Sequence, residues 1–444
     1  MVNVKIKPIS SLNGEITAPP SKSYSHRALI AAAISGGVSV IENPLTAGDV
    51  AVTLDILKKL GVRIIQKEDN SFVISGRKHS LGTTSAVIDC HNSGTSVRIF
   101  SALALLVKGG LNLTGEFFKR NRPIRPLLEA LKSLGAQYEL KENRLFIERV
   151  NKKCDSLFIK GDISSQFITA LLMLSPAISC EKETFIEINI QTPLVSYPYI
   201  QITNDLLKKF GINVIERLND KMMGKYYISF DQKYRPQVFT VPGDFSSSAF
   251  LISAAALTED SSTVTINNLD MTNPQGDKKI IEILHKMGAN IEIKQEINQI
   301  IVHGGQKRFP LQGIKVDCQN IPDLFPILSV CGALAKGKTI LYNASHLRLK
   351  ESDRIAIMAR ELKKMGVHLQ EEEDKLIIHH TEYLKSSQIQ HEGDHRIALA
   401  CSIASFFTEG SSEIKNIEVI NDSYPNFLSH CKKLGVELLE IEKD

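Results

Sequence analysis

No stretch of this chain reaches the about 18 consecutive apolar residues that a membrane-spanning helix needs. Its start, MVNVKIKPISSLNG, has neither a signal-peptide apolar region nor an Arg/Ser-rich amphipathic lead, which argues against secretion and organelle import alike. Cysteine is sparse and scattered. The seven (Cys90, Cys154, Cys180, Cys318, Cys331, Cys401 and Cys431) form no CxxC pair. An odd, dispersed set is expected to be reduced thiols of a cytoplasmic protein, not a disulfide framework. An excess of charge of one sign is lacking too: the net +4 is too small to imply nucleic acid and fits the handling of small anions at a local site. What remains is 43% apolar and 23% charged, ordinary for a soluble globular protein, and 444 residues are too many for one core, so two domains are expected.

What is present is repetition. A helix-like stretch ends in nearly the same phrase six times: LDILKKLGVRI, LEALKSLGAQY, DLLKKFGINVI, IEILHKMGANIEI, ARELKKMGVHL and HCKKLGVEL. The closing glycines (Gly61, Gly135, Gly211, Gly288, Gly366, Gly435) recur at roughly 70 to 80 residues, sit where a helix C-cap belongs and follow lysines that suit a helix's negative end. After most comes a β-rich run, a polar turn and a second run, as in VRIIQKEDNSFVISG, which reads as a hairpin. Upstream in each unit a polar turn opens an alanine-rich helix: SKSYSHRALIAAAI, NSGTSVRIFSALALL, ISSQFITALLML, FSSSAFLISAAAL, IPDLFPILSVCGAL and DHRIALACSIASFF. The unit reads as helix, strand, helix, hairpin, and six of them over two domains give three per domain. An extended α/β solenoid is the alternative, but its repeats run about 20 to 50 residues. Helix N-termini carry free N–H groups and about half a positive charge, so six equivalent ones converging on a cleft would bind anions.

Two motif matches fail on context. GALAKGKT (Gly332–Thr339) fits the phosphate-loop pattern GxxxxGK[ST], yet that loop needs a strand before it and a helix after it, and here the order is reversed. HEGDH (His391–His395) fits HExxH, yet zinc binding needs both histidines on one helix face, and Gly393 and Asp394 read as cap residues before a helix that begins at the second histidine.

The chemistry gathers at the helix starts. The first offers Ser21, Lys22, Ser23, Ser25 and Arg27; the second offers Asn92, Ser93, Gly94, Thr95 and Arg98, followed by the loop KRNRPIR (Lys119–Arg125). The third offers Ser164, Ser165 and Gln166, the fifth Asp323, and the sixth Asp394, His395 and Arg396, with HLRLKESDR supplying Lys350, Glu351 and Arg354. Each alone reads as an ordinary cap. Together they do not, because helix N-termini disfavour cations unless an anion lies between. Asp323 and Glu351, two acids in so basic a setting, suit proton transfer.

The segments PPSKSYSHRALIAAA, NSGTSVR, RPI, GDISSQFITALLM, LVSYPYI, IPD, LKESDR and DHRIALA occur in the order seen in 5-enolpyruvylshikimate-3-phosphate (EPSP) synthases, and the resemblance spans nearly the whole chain. It implies an α/β fold, a two-domain inside-out α/β barrel of six βαβαββ-type repeats. The chain would cross twice, with residues 1–20 and 241–444 in one domain, 21–240 in the other and the active site in the cleft. It also implies transfer of the enolpyruvyl group of phosphoenolpyruvate to the 5-hydroxyl of shikimate 3-phosphate through a tetrahedral intermediate, without metal or organic cofactor, in a cytoplasmic monomer. Carried over by motif, Lys22 would touch both substrates, and Ser23 and Arg27 would hold the ring side of shikimate 3-phosphate. Ser164, Ser165, Ser196 and Tyr199 would bind its phosphate side, with Gln166 reaching both ligands. Gly94, Arg122, Arg354 and Arg396 would cradle phosphoenolpyruvate. Asp323 would take the 5-hydroxyl proton and Glu351 would protonate the methylene carbon, supported by Lys350 and His395.

The chain departs from this pattern in two places. Asp422, in NDSYPNF, stands where such proteins usually carry a phosphoenolpyruvate-binding lysine. At 4 Å and an effective dielectric of about 20 that reversal turns roughly 4 kcal/mol of attraction into repulsion. Asp422 is therefore expected to point away, or Lys415 to supply the charge. His346 replaces a common asparagine. Two rivals are an enolpyruvyl transferase acting on UDP-N-acetylglucosamine, which typically has Lys-Asn where this chain has Lys22-Ser23, and an inactive binding protein on the same fold.

Overall fold

Six helices are buried on nearly every side: Lys22–Ile34 (α1), Gly94–Leu103 (α2), Ser165–Leu174 (α3), Phe245–Leu257 (α4), Phe325–Leu334 (α5) and His395–Ala404 (α6). Every residue of α4 and α6 is buried. Such helices can have no polar face, and their small residues, Ala31–Ala33 in α1 and Ala254–Ala256 in α4, let neighbours approach closely. Side chains cap four of them: Ser93, Ser164, Asp244 and Asp394 accept from the backbone N–H of Ser96, Gln166, Ser247 and Arg396.

A second set of helices buries one face only: Gly48–Lys59, Arg125–Lys132, Tyr197–Lys209, Lys279–Met287, Arg354–Lys364 and Phe427–Lys433. In Lys279–Met287 the apolar side is Ile280, Ile281, Ile283, Leu284 and Met287. Beyond each of the six lies a repeat glycine, and all six have φ between 74° and 102°, the left-handed conformation that ends a helix and that a Cβ penalises.

The structure is a computed structural model that describes residues 2–180, 183–258, 262–308 and 310–442. The described strands form six four-stranded sheets of one pattern: a parallel pair, then two antiparallel pairings. The first sheet shows how sequence and pairing differ. Val38–Glu42 lies beside the hairpin Arg63–Gln66 and Phe72–Ser75, and its parallel neighbour, Val238–Thr240, comes from about 200 residues later in sequence. The chain divides into two compact units, Met1–Pro19 with Pro242–Asp444, and Pro20–Val241, each with its own apolar core. The N-terminal strands explain the discontinuous one: Asn13–Thr17 pairs in parallel with Thr263–Asn267, and Val2–Ile6 lies between Ser412–Ile414 and Leu438–Glu442.

One expectation is corrected. Cys154 and Cys180 are joined as a disulfide, their Cα atoms 6.0 Å apart, and only the other five thiols are free. Arg149 lies beside both half-buried cysteines' segments, its Nη2 donating to Ser179 O at 3.2 Å and reaching Cys154 Sγ at 3.6 Å, a proximity that spacing in sequence does not reveal. GALAKGKT runs from the end of α5 into the strand Lys338–Tyr342, so no helix follows the loop. Among the described residues no helix is long and apolar enough to cross a membrane.

Candidate active site

In the unit Pro20–Val241 most of the expected residues stand near the N-terminal ends of α1, α2 and α3, with Arg122 in the loop before Arg125–Lys132 and Ser196 and Tyr199 at the start of Tyr197–Lys209. Lys22 is the first residue of α1, its Nζ 3.3 Å from Asp49 Oδ2. Ser23 follows it, half-buried, and its carbonyl accepts from Arg27 Nη1 at 2.8 Å. Arg27 is buried and also donates to Thr203 Oγ1 (2.8 Å), Thr169 Oγ1 (3.1 Å) and the Tyr199 carbonyl (3.2 Å). It braces α1 against α3 and the helix Tyr197–Lys209. Burial pulls its guanidinium down to about 10, against the opposing pull of Tyr24 and Tyr199.

Gly94 opens α2 beneath two arginines. A Cβ there would lie 2.7 Å from Arg122 Nη2 and 3.1 Å from Arg98 Nη1, so only glycine leaves both in place. Arg98 and Arg122 lie 5.2 and 5.1 Å from the ring centre of Phe117, and Arg98 also lies 5.3 Å from that of Phe167. Arg122 Nη1 donates to Asn92 O at 2.6 Å; Arg98 donates to Pro123 O and, at 2.5 Å, to Gln166 Oε1. The Gln166 amide continues to Thr95 Oγ1 at 3.0 Å, joining the first turns of α2 and α3. Ser164 caps α3 and Ser165 begins it. Ser196 adopts φ 55°, and its buried Oγ has no hydrogen-bond partner among the described residues. Tyr199 follows in the next turn, donating its N–H to Ser196 O at 3.1 Å.

The other unit concentrates charge around one guanidinium. Arg354, 1% exposed, donates from Nη1 to Asp323 Oδ1 (2.7 Å), from Nη2 to Glu351 Oε2 (2.9 Å) and from Nε to Asp394 Oδ2 (2.9 Å). Three local features place these groups. Asp323 precedes α5, Asp394 is the N-cap of α6, and Glu351 and Arg354 are three residues apart where Asp353 caps the helix Arg354–Lys364. Arg396 Nη2 meets the second oxygen of Asp323 at 3.2 Å. Burial alone would raise the Asp323 carboxyl, but Arg396 and Arg354 hold it well below the usual range. Burial would lower Arg354, yet Asp394, Glu351 and Asp323 push it well above its ordinary value. The result is an ionised, half-buried carboxylate between two fixed cations, which accepts hydrogen bonds well and is a weak base for as long as both cations face it.

Lys350 ends the short helical turn Ser345–Leu349 that carries His346. Burial first, then the charges of Lys350 and Arg354, lower His346 to about 3, so its ring is neutral. His395 is buried at the start of α6, 4.0 Å from Asp422 Oδ2. That contact places Asp422 at the N-terminal end of α6, at the close of the turn Ile417–Asp422.

Some members of these clusters carry no signal in the sequence. Phe117 reads as an ordinary core residue, yet it is the platform under both arginines. Asp277 is buried, accepts from Ser246 Oγ at 2.5 Å and faces the charge of Asp323; burial and that neighbour push it up to about 7, against Ser246 and Arg396. Only the packing of the turn Gly276–Lys278 under α4 brings it there.

Residues 6–431 match the family described as EPSP synthase (3-phosphoshikimate 1-carboxyvinyltransferase). The chain is 41% identical over 439 residues to the 3-phosphoshikimate 1-carboxyvinyltransferase of Methanocaldococcus jannaschii, covering 98% of each. It is 38% identical over 438 residues to that of Methanococcus vannielii, covering 98% of this chain and 99% of the relative. Among solved structures it is similar to EPSP synthase from Acinetobacter baumannii, with a TM-score of 0.80, 26% identity and all of both chains covered. The enolpyruvyl transferase NikO from Streptomyces tendae shares the fold at a TM-score of 0.77 with 16% identity over the full length of both chains. Full-length identity of this order, with the arginine and acid clusters formed at the helix starts, leaves one conclusion: the chain belongs to the EPSP synthase family.

Proposed function

We infer that this chain transfers the enolpyruvyl group of phosphoenolpyruvate to the 5-hydroxyl of shikimate 3-phosphate, releasing phosphate, on the route to chorismate and the aromatic amino acids. The observation that carries this reading is the family match over residues 6–431, together with full-length relatives bearing that enzyme's name. The fold reading that goes with it is a pair of inside-out α/β barrels of three repeats each. The wholly buried helices α4 and α6 and the half-exposed sheets support it.

In this reading Lys22, Ser23, Arg27, Ser164, Ser165, Gln166, Ser196 and Tyr199 serve shikimate 3-phosphate, with Asp323 and Lys350. Lys22, Gly94, Arg122, Gln166, Arg354 and Arg396 serve phosphoenolpyruvate. Both substrates are polyanions, and charge-assisted contacts to them contribute about 1.5 to 3 kcal/mol each. Asp323 takes the proton of the 5-hydroxyl as that oxygen bonds to C2 of phosphoenolpyruvate. Glu351 delivers a proton to the methylene carbon, giving the tetrahedral adduct, with Lys350 and His395 in support. Loss of a methyl proton and of phosphate then restores the double bond. No metal or organic cofactor is required by these steps, and the enzyme works as a cytoplasmic monomer.

The test is phosphate release by the purified protein given both substrates and then each alone, alongside Asp323→Ala. We expect release that needs both substrates and falls about 10²- to 10⁴-fold in the variant, the usual range for losing a positioned base. Release that ignores shikimate 3-phosphate, or none while both ligands bind, overturns the reading.

A further inference from the structure

His391 is the half of the HEGDH match that the proposed chemistry leaves unused, and it is 5% exposed. Both ring nitrogens are engaged, and the partners fix the tautomer. The backbone N–H of Gly393 donates to Nδ1 at 3.0 Å, so Nδ1 is the unprotonated acceptor. Nε2 then carries the hydrogen and donates to the carbonyl of Lys415 at 2.6 Å.

What the ring spans matters more than its burial. His391 to Asp394 is a tight turn closed by Asp394 N–H donating to His391 O at 2.9 Å. Its two central residues, Glu392 and Gly393, have φ of 52° and 75°. Two consecutive left-handed residues, one with a Cβ, do not persist unless their surroundings impose them. Here the imidazole takes the N–H of the turn's own Gly393, while Arg360 pairs with Glu392 at 3.0 Å and donates to Gln390 O. The turn's exit is Asp394, which both caps α6 and binds Arg354, followed directly by His395 and Arg396. Through Lys415 the same ring holds the start of the segment that runs on to Asp422, beside His395.

We propose that His391 is a positioning residue for phosphoenolpyruvate: with its proton on Nε2 it locks the 391–394 turn to the 415–422 segment and so aims Arg396 and Asp394. The inference rests on the assignment of Arg396 and Arg354 to that substrate. Asn at this position keeps an acceptor near Nδ1 but does not reach Lys415. Gln reaches Lys415 but offers Gly393 nothing.

Steady-state kinetics with each substrate varied in turn, on full-length His391→Ala, His391→Asn and His391→Gln, tests it, with Arg396→Lys as the reference. We expect KM for phosphoenolpyruvate to rise about tenfold in His391→Ala, in line with the loss of a buried hydrogen bond. KM for shikimate 3-phosphate should stay within about twofold of the wild-type value, and His391→Asn should recover part of the loss. A general loss of packing would instead lower the active fraction and move neither KM. Unchanged KM values in all three His391 variants, with a raised one in Arg396→Lys, overturn the inference alone. If Arg396→Lys also leaves KM for phosphoenolpyruvate unchanged, the assignment of that substrate fails and the inference with it. Should His391→Ala not fold, Asn and Gln variants that both behave as wild type overturn it equally.

Discussion

Two carboxyls in one cluster, Asp277 buried and Asp323 half-buried, answer to pH in opposite directions, and the reason lies in single residues. Asp323 is held ionised by Arg396 and Arg354, so its contribution to stability is present above its ordinary value of 3.8 and is lost on acidification below it. Asp277 is pushed from 3.8 up to about 7 by burial and by Asp323. Between those values the folded protein keeps this proton and the unfolded chain has lost it. Stability therefore falls as pH rises through that window, by up to about 1.4 kcal/mol per pH unit. Asp277→Asn should remove that slope while leaving the acid-side loss from Asp323. Urea midpoints at pH 4.5 and 7.5 would show the variant gaining on the wild type at the higher pH; parallel pH dependences would rule the assignment out. The same residues mark the limit of what sequence shows. Asp323 and Arg396 were legible because they fall at repeated helix starts, and Arg354 because the charged run HLRLKESDR lies between two of them. Asp277 was not, since nothing in NPQGDKK tells that its turn packs beneath Ser246.

At the scale of elements, Asp394 performs two tasks that two substitutions can separate. One oxygen caps α6 through Arg396 N–H at 2.9 Å; the other takes Arg354 Nε at 2.9 Å and Ser352 Oγ at 3.0 Å. Asparagine caps a helix nearly as well as aspartate, so Asp394→Asn should keep the cap and lose only the ion pair. Asp394→Ala loses both and adds about 1 kcal/mol of cap energy to the cost of removing one of three carboxylates from a buried arginine. Thermal unfolding should rank wild type, Asn, Ala, with both variants weakened in phosphoenolpyruvate binding; equal melting of the two variants would mean that the cap contributes nothing. Elements differed in legibility for a physical reason. Helices such as Lys279–Met287 bury one face and print a 3.6-residue period, whereas α4, buried all round, has none and is betrayed only by its Asp244 cap and small residues. The Cys154–Cys180 link left no trace at all, because pairing follows proximity in the fold.

For the whole molecule the question is what each compact unit needs in order to exist. Every strand of the sheets in Pro20–Val241 comes from within that continuous segment, including Val238–Thr240 beside Val38–Glu42. The other unit borrows from the far end of the chain. Val2–Ile6 is a central strand, paired on both sides, and Asn13–Thr17 completes a second sheet. Between them Val4, Ile6, Leu12, Ile16 and Ala18 are buried in that unit's core. Four large side chains at about 1.5 to 3 kcal/mol each amount to roughly 10 kcal/mol, as much as an entire domain's stability. The sequence repeat could not reveal this, since these two strands precede the first repeated helix; the double crossing came only with the family resemblance. Residues 20–241 expressed alone should therefore melt cooperatively, and residues 242–444 alone should not. Adding a synthetic peptide of residues 1–19 to the second fragment should restore a cooperative transition, because the strand pairings and buried side chains are non-covalent and only the entropy of association has to be overcome. A peptide carrying Val4→Asp and Ile6→Asp should fail to do so. A cooperative melt of 242–444 without the peptide would show that the N-terminal strands decorate that unit instead of holding it together.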